Sequence, residues 1–122
     1  AAAGGRSAAA GVLDPLLPID VAVLGMGADC HVASLFPGSP ELSVALGPAA
    51  PAVLAVTAPG APEPRVTLSR PVLAGARRIH LLIAGEDKRA ALGKALAAGS
   101  AEDAPVRAVL VADAPVAVHH AP

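Results

Sequence analysis

Aromatic residues are almost absent from this sequence, in which Phe36 is the one Phe and there is no Trp or Tyr. The single cysteine, Cys30, excludes a disulfide within the chain and fits a reducing compartment. No apolar run reaches the roughly 18–20 residues that a membrane-spanning helix needs. No cluster of basic residues marks a nucleic-acid surface, and the formal net charge is −1. We therefore expect a cytoplasmic protein that binds neither membrane nor nucleic acid.

Alanine dominates what is present. The chain has 122 residues, of which 54% are hydrophobic, but about a quarter of all residues are Ala. Large apolar side chains are therefore scarce, and each core residue buries little area. The length suits one domain. We expect a low-complexity tail or helix end at residues 1–13 and an α/β domain at residues 14–122.

Short β-branched runs alternate with helical segments along the chain, which is typical of an α/β domain with a mainly parallel sheet flanked by helices. The arrangement is Rossmann-like. Strands are predicted at residues 20–25, 52–57, 78–85 and 116–120. The first of them is continuously apolar, which predicts burial on both faces of the sheet.

The segments between these strands carry helix and loop signals. Helices are predicted at residues 32–36, 69–77, 86–98 and 106–111. The helix at 86–98 should pack through Leu92 and Leu96, with Gly99 ending it. Three prolines predict a loop at residues 58–64, and Arg65 is assigned to that Pro-rich loop.

The turn after the first strand carries the chemistry. It reads Gly-Met-Gly-Ala-Asp-Cys-His from Gly25 to His31, so a carboxylate and an imidazole lie two residues apart at the carboxyl end of a strand. Ligands of open α/β sheets bind at that edge. Asp29 can fix the tautomer of His31, which then acts as a general base. The alternative is that Asp29 caps the following helix and His31 is an ordinary first-turn residue.

The longer string from Gly25 to Gly38 resembles the G-M-G-x-D-G-H-x-A-S-L-F-P-G signature of 6-phosphogluconolactonases. Residues 64–69 are similar to that family's P-x-R-I-T-L-T segment, and residues 85–88 to its G-x-x-K turn. The family shares its fold with glucosamine-6-phosphate deaminases, whose turn continues differently. The resemblance implies the C-terminal portion of the lactonase/deaminase fold.

That resemblance implies hydrolysis of a small-molecule sugar phosphate, 6-phosphogluconolactone, in the oxidative pentose phosphate pathway. His31 would activate water, Asp29 would orient His31, and Arg65 and Lys88 would hold the phosphate. Gly25 and Gly27 would form the active-site turn. No cofactor or metal is expected. Independently, Lys88 lies in the first turn of the helix predicted at 86–98, where helix N–H groups favour an anion.

Several positions depart from the family pattern. Cys30 stands where the family carries Gly, which should cost about 1 kcal/mol if that residue has a positive φ. Ala28 and Val32 replace polar residues. His119 and His120 replace aromatic residues, and we interpret them as structural or exposed, because adjacent strand residues point to opposite faces and cannot chelate one metal.

The family's Gly-Gly-Ser/Thr phosphate loop and its Asp-Glu-Arg segment do not occur in these residues, and the sequence does not begin with Met. We therefore expect a missing N-terminal half or a second chain. One alternative function is a non-catalytic sugar-phosphate-binding fragment or degenerate copy. Another is the deaminase branch, which the Leu35-Phe36-Pro37 continuation disfavours.

Overall fold

Three parallel strands form the central sheet of the chain. The computed structural model describes residues 2–61 and 63–122. The helices are α1 (Ala2–Leu13), α2 (Leu42–Ala45), α3 (Arg70–Ala74), α4 (Glu86–Leu96) and α5 (Arg107–Leu110), with a 3₁₀ turn at Asp14–Leu16. The strands are β1 (Val21–Gly25), β2 (Val53–Thr57), β3 (Pro64–Leu68), β4 (Arg78–Ala84) and β5 (Val116–Ala121). Within the described residues, no helix combines the length and apolarity that a membrane crossing requires.

The sheet has the strand order β1-β4-β5, and both pairings are parallel. β2 and β3 form a separate antiparallel hairpin. The prediction of an α/β fold with a mainly parallel sheet is confirmed. Because all three strands of the sheet run in one direction, their carboxyl ends at Gly25, Ala84 and Ala121 share one edge. That edge positions the candidate site.

Only one face of this sheet packs against the rest of the described chain. Ile79 and Leu81 are fully buried on it. On the opposite face, Val21, Val23 and Leu82 are 50%, 60% and 49% exposed. The prediction that the first strand is buried on both faces is therefore wrong: its side chains alternate between the core and an open face.

The predicted helix at residues 32–36 is also absent. A bridge between Val32 and Leu35 closes a tight turn instead, with Leu35 N–H donating to Val32 O at 3.0 Å. Ala33 has φ = 50°, a left-handed conformation that interrupts a right-handed helix. Val32 and Leu35 are both buried by this turn, so tertiary packing replaces the helix.

Residues 64–68 form strand β3, so the assignment of Pro64 and Arg65 to a loop is wrong. Pro64 stands at the first position of β3, opposite Thr57, where proline is tolerated in a strand. Arg65 is consequently held on a paired strand.

Helix α4 begins at Glu86 as predicted but ends at Leu96, before the predicted 98. Its buried side chains are Ala91 and Ala95, and Leu92 packs against the core while partly buried, as predicted. Leu96 is 68% exposed, so its predicted packing is wrong. Small side chains let the helix axis approach the sheet closely. Helix α3 ends at Ala74, earlier than the predicted 77, because the chain turns at Gly75.

Candidate active site

The residues after β1 form a closed turn. Gly27 N–H donates to His31 O at 3.0 Å, and Cys30 N–H donates to Gly27 O at 2.9 Å. Val106 N–H, just before α5, donates to Cys30 O at 2.9 Å. The turn is therefore fixed both within itself and to a distant part of the chain.

Asp29 and His31 form a hydrogen-bonded pair in this turn. The His31 Nδ1 lies 2.5 Å from Asp29 Oδ1, and His31 N–H donates to the same oxygen at 3.0 Å. A carboxylate accepts, so the geometry assigns the ring proton to Nδ1 and leaves the Nε2 lone pair available as a base. The His31 side chain is 32% exposed, which gives water access to the ring.

Opposing effects act on the pKa of Asp29. Partial burial raises it, but the hydrogen bonds from the His31 backbone N–H and ring, with attraction to that ring, outweigh burial and hold the pKa below its ordinary value. Asp29 therefore remains a carboxylate at neutral pH. It can hold the Nδ1–H tautomer and stabilise the imidazolium that forms when Nε2 takes a proton.

Cys30 has φ = 69°, the positive φ for which the family's Gly is suited. Its thiol is buried and donates to Ala91 O on α4 at 3.4 Å. Burial, followed by the nearby Asp29 charge, raises the pKa of the thiol. The side chain is therefore a packing anchor between the turn and α4 rather than an ionised nucleophile.

Gly27 lies directly against the Asp29–His31 pair. A Cβ at this position would overlap the His31 ring and would lie 2.8 Å from Asp29 Oδ1. At Gly25, by contrast, a Cβ would meet no heavy atom within 4 Å. Of the two glycines, Gly27 is the one whose missing side chain makes room for His31.

Phe36 and Arg65 extend the site beyond the turn. The Phe36 ring centroid lies 4.6 Å from that of His31, with the planes tilted by 40°. On the Phe36 ring, Arg65 Cζ lies 5.5 Å from the centroid, within cation–π range. The side chain of Arg65 is exposed, so its guanidinium is accessible to an anion.

A cleft of about 460 Å³ opens beside His31 at the carboxyl edge of the sheet. It is lined by Val23, Leu24, Gly25, Met26, Gly27, His31, Ala33 and Lys88. Lys88 comes from the first turn of α4, whose first intrahelical bond runs from Arg89 N–H to Gly85 O. The N–H groups before Arg89 have no intrahelical acceptor, so they and the Lys88 ammonium favour an anion at this end of the cleft.

Lys88 also borders a second cleft of about 450 Å³, which His119 and His120 line from β5. His119 Nε2 lies 2.9 Å from Nδ1 of His80 on β4. Both rings are exposed enough to meet solvent. Among the described residues, no three His, Cys, Asp or Glu side chains converge as they would around a metal ion.

The structure brings together most of the residues singled out from the sequence. Asp29, His31, Gly27 and Lys88 meet around one turn and cleft, and Arg65 reaches them through Phe36. Sequence reasoning missed the roles of Phe36 and Thr67. Thr67 Oγ1 accepts the Ser34 N–H at 3.1 Å and thereby fastens β3 to the turn. The scarcity of aromatics was the available signal for Phe36.

Comparison with known proteins identifies the family of the chain. The profile of the glucosamine-6-phosphate isomerases/6-phosphogluconolactonase family matches residues 3–118. The chain belongs to this family.

Individual relatives point to the lactonase branch. A 6-phosphogluconolactonase of Pseudomonas aeruginosa is 49% identical over 107 residues, which cover 87% of this chain and 44% of that protein. One from Rhizobium meliloti is 42% identical over 124 residues, covering 100% of this chain and 51% of the relative. The crystal structure of a 6-phosphogluconolactonase from Shewanella baltica superposes with a TM-score of 0.90 at 39% identity, over 99% of this chain and 52% of that one.

The chain therefore spans about half the length of the family members it matches. The expectation that it represents a partial lactonase/deaminase fold is confirmed in that sense. The Asp29–His31 turn, the Arg65 strand and the Lys88 helix all lie within the shared half.

Proposed function

We propose that this chain supplies the catalytic base of a 6-phosphogluconolactonase, which hydrolyses 6-phosphogluconolactone to 6-phosphogluconate in the oxidative pentose phosphate pathway. The observation that carries the proposal is the Asp29–His31 pair, joined at 2.5 Å and opening on the cleft that Lys88 borders. The names of the relatives support the choice of substrate. The cytoplasm is the compartment proposed for this activity.

The chemistry follows from the free Nε2 of His31. Nε2 takes a proton from water as the water oxygen bonds to the C1 carbonyl carbon of the lactone. Asp29 stabilises the resulting imidazolium through Nδ1–H. The tetrahedral intermediate then collapses, the bond between C1 and the ring oxygen breaks, and the imidazolium returns its proton to that oxygen. A sugar lactone is an activated ester, so a positioned base and a positioned water suffice for this route.

The phosphate of the substrate is assigned to the two cations at the edges of the site. Lys88 and the N-terminus of α4 offer one anion position, and Arg65 on the Phe36 ring offers the other. Arg65 is exposed and Lys88 is half-buried, and nothing in the described residues ties either side chain to a carboxylate.

The remainder of the site is proposed to come from the part of the lactonase fold that this chain does not cover, whether in the same polypeptide or in a second one. Its place is the open face of the sheet, defined by Val21, Val23 and Leu82. Parallel sheets are almost always covered on both faces, and these three apolar side chains are each about half exposed.

The test is lactone hydrolysis near neutral pH, followed by proton release and corrected for the spontaneous reaction. The chain is assayed alone and co-expressed with the part of the Pseudomonas aeruginosa relative that it does not match. His31→Ala should lower the rate by at least about 10²-fold, the range of a lost general base. Glu102→Gln, at an exposed position between α4 and α5 and outside the cleft lining, is the control and should retain activity. Equal rates for the parent chain and His31→Ala would refute the assignment.

A second candidate, sugar-phosphate binding without turnover, is favoured by one observation: the chain spans only half of its relatives while it retains both Arg65 and Lys88. Calorimetry with 6-phosphogluconate separates the two. Binding that needs Lys88, together with a rate equal to the blank in both assay formats, would replace the hydrolase by a binding module. Ammonia release from glucosamine 6-phosphate would instead indicate the deaminase branch.

A further inference from the structure

Phe36 stands between the candidate base and a candidate anion-binding residue. One side of its ring packs on His31, with 4.6 Å between centroids, and Arg65 Cζ lies 5.5 Å from the same centroid. The three side chains therefore form a contact series, His31–Phe36–Arg65. Phe36 is the one aromatic residue of the sequence, so no other ring can make this contact.

The backbone beneath this series is fixed. Thr67, two residues after Arg65 and on the same face of β3, is buried and accepts the Ser34 N–H at 3.1 Å. Leu35, next to Phe36, is 1% exposed. This hydrogen bond and the burial of Leu35 link the turn to the hairpin on either side of the contact series.

The His31 ring is contacted on several sides, although its side chain stays 32% exposed. Asp29 holds Nδ1, and the position of Gly27 leaves the ring in close contact with the backbone beneath it. The Phe36 ring closes another side. An anion that binds the guanidinium weakens its attraction to the ring face, since that attraction depends on the cation's charge. The ring then reorients, and His31 reorients with it.

We propose that Phe36 is a positioning residue that couples anion binding at Arg65 to the orientation of the His31 ring. The proposal deepens the function proposed above, because it rests on His31 as the base. The ligand class is a phosphate dianion, either as part of a sugar phosphate or free in solution. The distal phosphate of the substrate would then affect the rate of the chemical step as well as affinity.

The first test needs no catalysis. The chain has four histidines, so the His31 Cε1–H resonance can be resolved by NMR and followed during titration with inorganic phosphate. Phosphate should shift this resonance in the parent chain and in Phe36→Tyr, which keeps the ring. The part of the shift that Arg65→Gln removes should also be removed by Phe36→Leu.

A double-mutant cycle decides whether the two residues act together. If the coupling runs through Phe36, the variant carrying both Arg65→Gln and Phe36→Leu should respond as either single variant does. Additive losses, or a response in Phe36→Leu equal to that of the parent, would overturn the proposal. The part of the His31 shift that remains in all variants is assigned to phosphate bound at Lys88.

The second test uses the reaction. Hydrolysis of gluconolactone, which lacks the phosphate, is measured with and without added phosphite dianion, using the assembly that shows activity. Phosphite should accelerate the parent chain by about fivefold or more, the lower range of typical coupling between sites. Phe36→Leu should lose that acceleration, measured as the ratio of the assisted to the unassisted rate of the same variant, and Phe36→Tyr should keep it.

The outcomes remain distinguishable. If Phe36→Leu lowers the assisted and unassisted rates equally, Phe36 only supports the fold and the proposal fails. If the parent chain shows no hydrolysis but its His31 resonance responds to phosphate through Arg65 and Phe36, the proposed reaction fails while the coupling stands.

Discussion

Gly27 has no side chain, and this makes room for the Asp29–His31 pair. The His31 ring and the Asp29 carboxylate lie where a side chain at residue 27 would be. Gly25, two residues earlier in the same turn, has open space around its Cα. Neither glycine has a positive φ, so alanine fits the backbone of both. The two positions therefore differ only in the room available for a Cβ atom.

Gly27→Ala should therefore lower lactone hydrolysis by about 10²-fold or more, because a misplaced general base loses most of its contribution. Its free energy of unfolding should change by about 1 kcal/mol or less, since the ring can swing into solvent. Gly25→Ala is the matched control, with activity within a few-fold of the parent. Steady-state rates and urea unfolding of the two variants provide the check. Equal activities would show that the ring position does not matter.

At the scale of elements, Arg107 holds the end of α4. Its guanidinium donates to Ala95 O at 2.9 Å, to Ser100 O at 2.9 Å and to Lys94 O at 3.0 Å. These carbonyls lie at or beyond the last turn of the helix, where acceptors lack intrahelical donors. Gly99 lies under the guanidinium, and a Cβ there would overlap it. Arg107 thus joins the C-terminus of α4 to α5.

Arg107→Gln should lower the free energy of unfolding by about 2 kcal/mol, because the charged guanidinium donates hydrogen bonds to three carbonyls that glutamine cannot all reach. Arg89→Gln is the matched control. Arg89 is 66% exposed and faces Glu86 at 3.6 Å, and such surface pairs contribute about 0–1 kcal/mol. The measurement is urea unfolding of both variants. A loss at residue 107 no larger than that at residue 89 would contradict the capping role.

Glu41 connects the start of α2 to β2. Its carboxylate accepts from Thr57 N–H at 3.1 Å, from Thr57 Oγ1–H at 3.0 Å and from Ser39 Oγ–H at 3.0 Å. The Thr57 N–H is the main reason that the pKa of Glu41 lies below its ordinary value. A carboxyl group with a lowered pKa stabilises the folded state only while it is ionised in that state.

The Glu41 contribution should therefore be complete above the unfolded-state pKa of about 4.3 and disappear as the pH falls through the lower folded-state value. The difference in urea midpoint between the parent chain and Glu41→Gln should shrink as the pH is lowered from 6 to 3. Glu102→Gln, at an exposed position between α4 and α5, serves as the control for general acid effects. A difference that does not depend on pH would show that the carboxylate charge contributes nothing.

Local patterns predicted most of the elements but not how they pack. The β-branched runs and the Glu86 helix start were sufficient to place β1, β2, β4, β5 and α4. The 32–36 segment has the composition of a helix, yet the left-handed Ala33 turns it so that Val32 and Leu35 are buried. No local signal marks that choice. Strand β3 was missed because its pairing with β2 outweighs the preference of Pro64 for loops.

The same limit applies to the site. The spacing of Asp29 and His31 and the helix position of Lys88 are local features, so they were visible in the sequence. The packing of Phe36 between His31 and Arg65 depends on the hairpin, which brings residue 65 beside residue 36. Contacts of that kind require the tertiary structure.

At the scale of the whole molecule, some exposed valines lie on the open face of the sheet and others lie elsewhere on the surface. Val21 on β1 is 50% exposed and lies on this face, away from the cleft at the carboxyl edge. Val44 on α2 is similarly exposed, at 59%, but lies outside the sheet. The difference in location provides a test of the proposed covering segment.

Val21→Glu should lower the amount of the co-expressed remainder of the Pseudomonas aeruginosa relative that co-purifies by at least about tenfold. The reason is that an unpaired charge would be buried in the contact. Val44→Glu should co-purify as the parent chain does. Both valines are exposed, so each variant alone should unfold within about 0.5 kcal/mol of the parent. Equal co-purification of the two variants would place the contact on another surface.

The hydrogen bond from Val106 N–H to Cys30 O has a consequence for biosynthesis. The ribosome synthesises residues 29–31 long before it adds Val106, whose N–H anchors their turn. Likewise, β1 cannot form its sheet hydrogen bonds until its neighbour β4 has been translated, more than fifty residues later. A nascent chain halted before Val106 would therefore carry Asp29 and His31 on an unanchored turn. The geometry of the candidate base becomes fixed only after Val106 has been added.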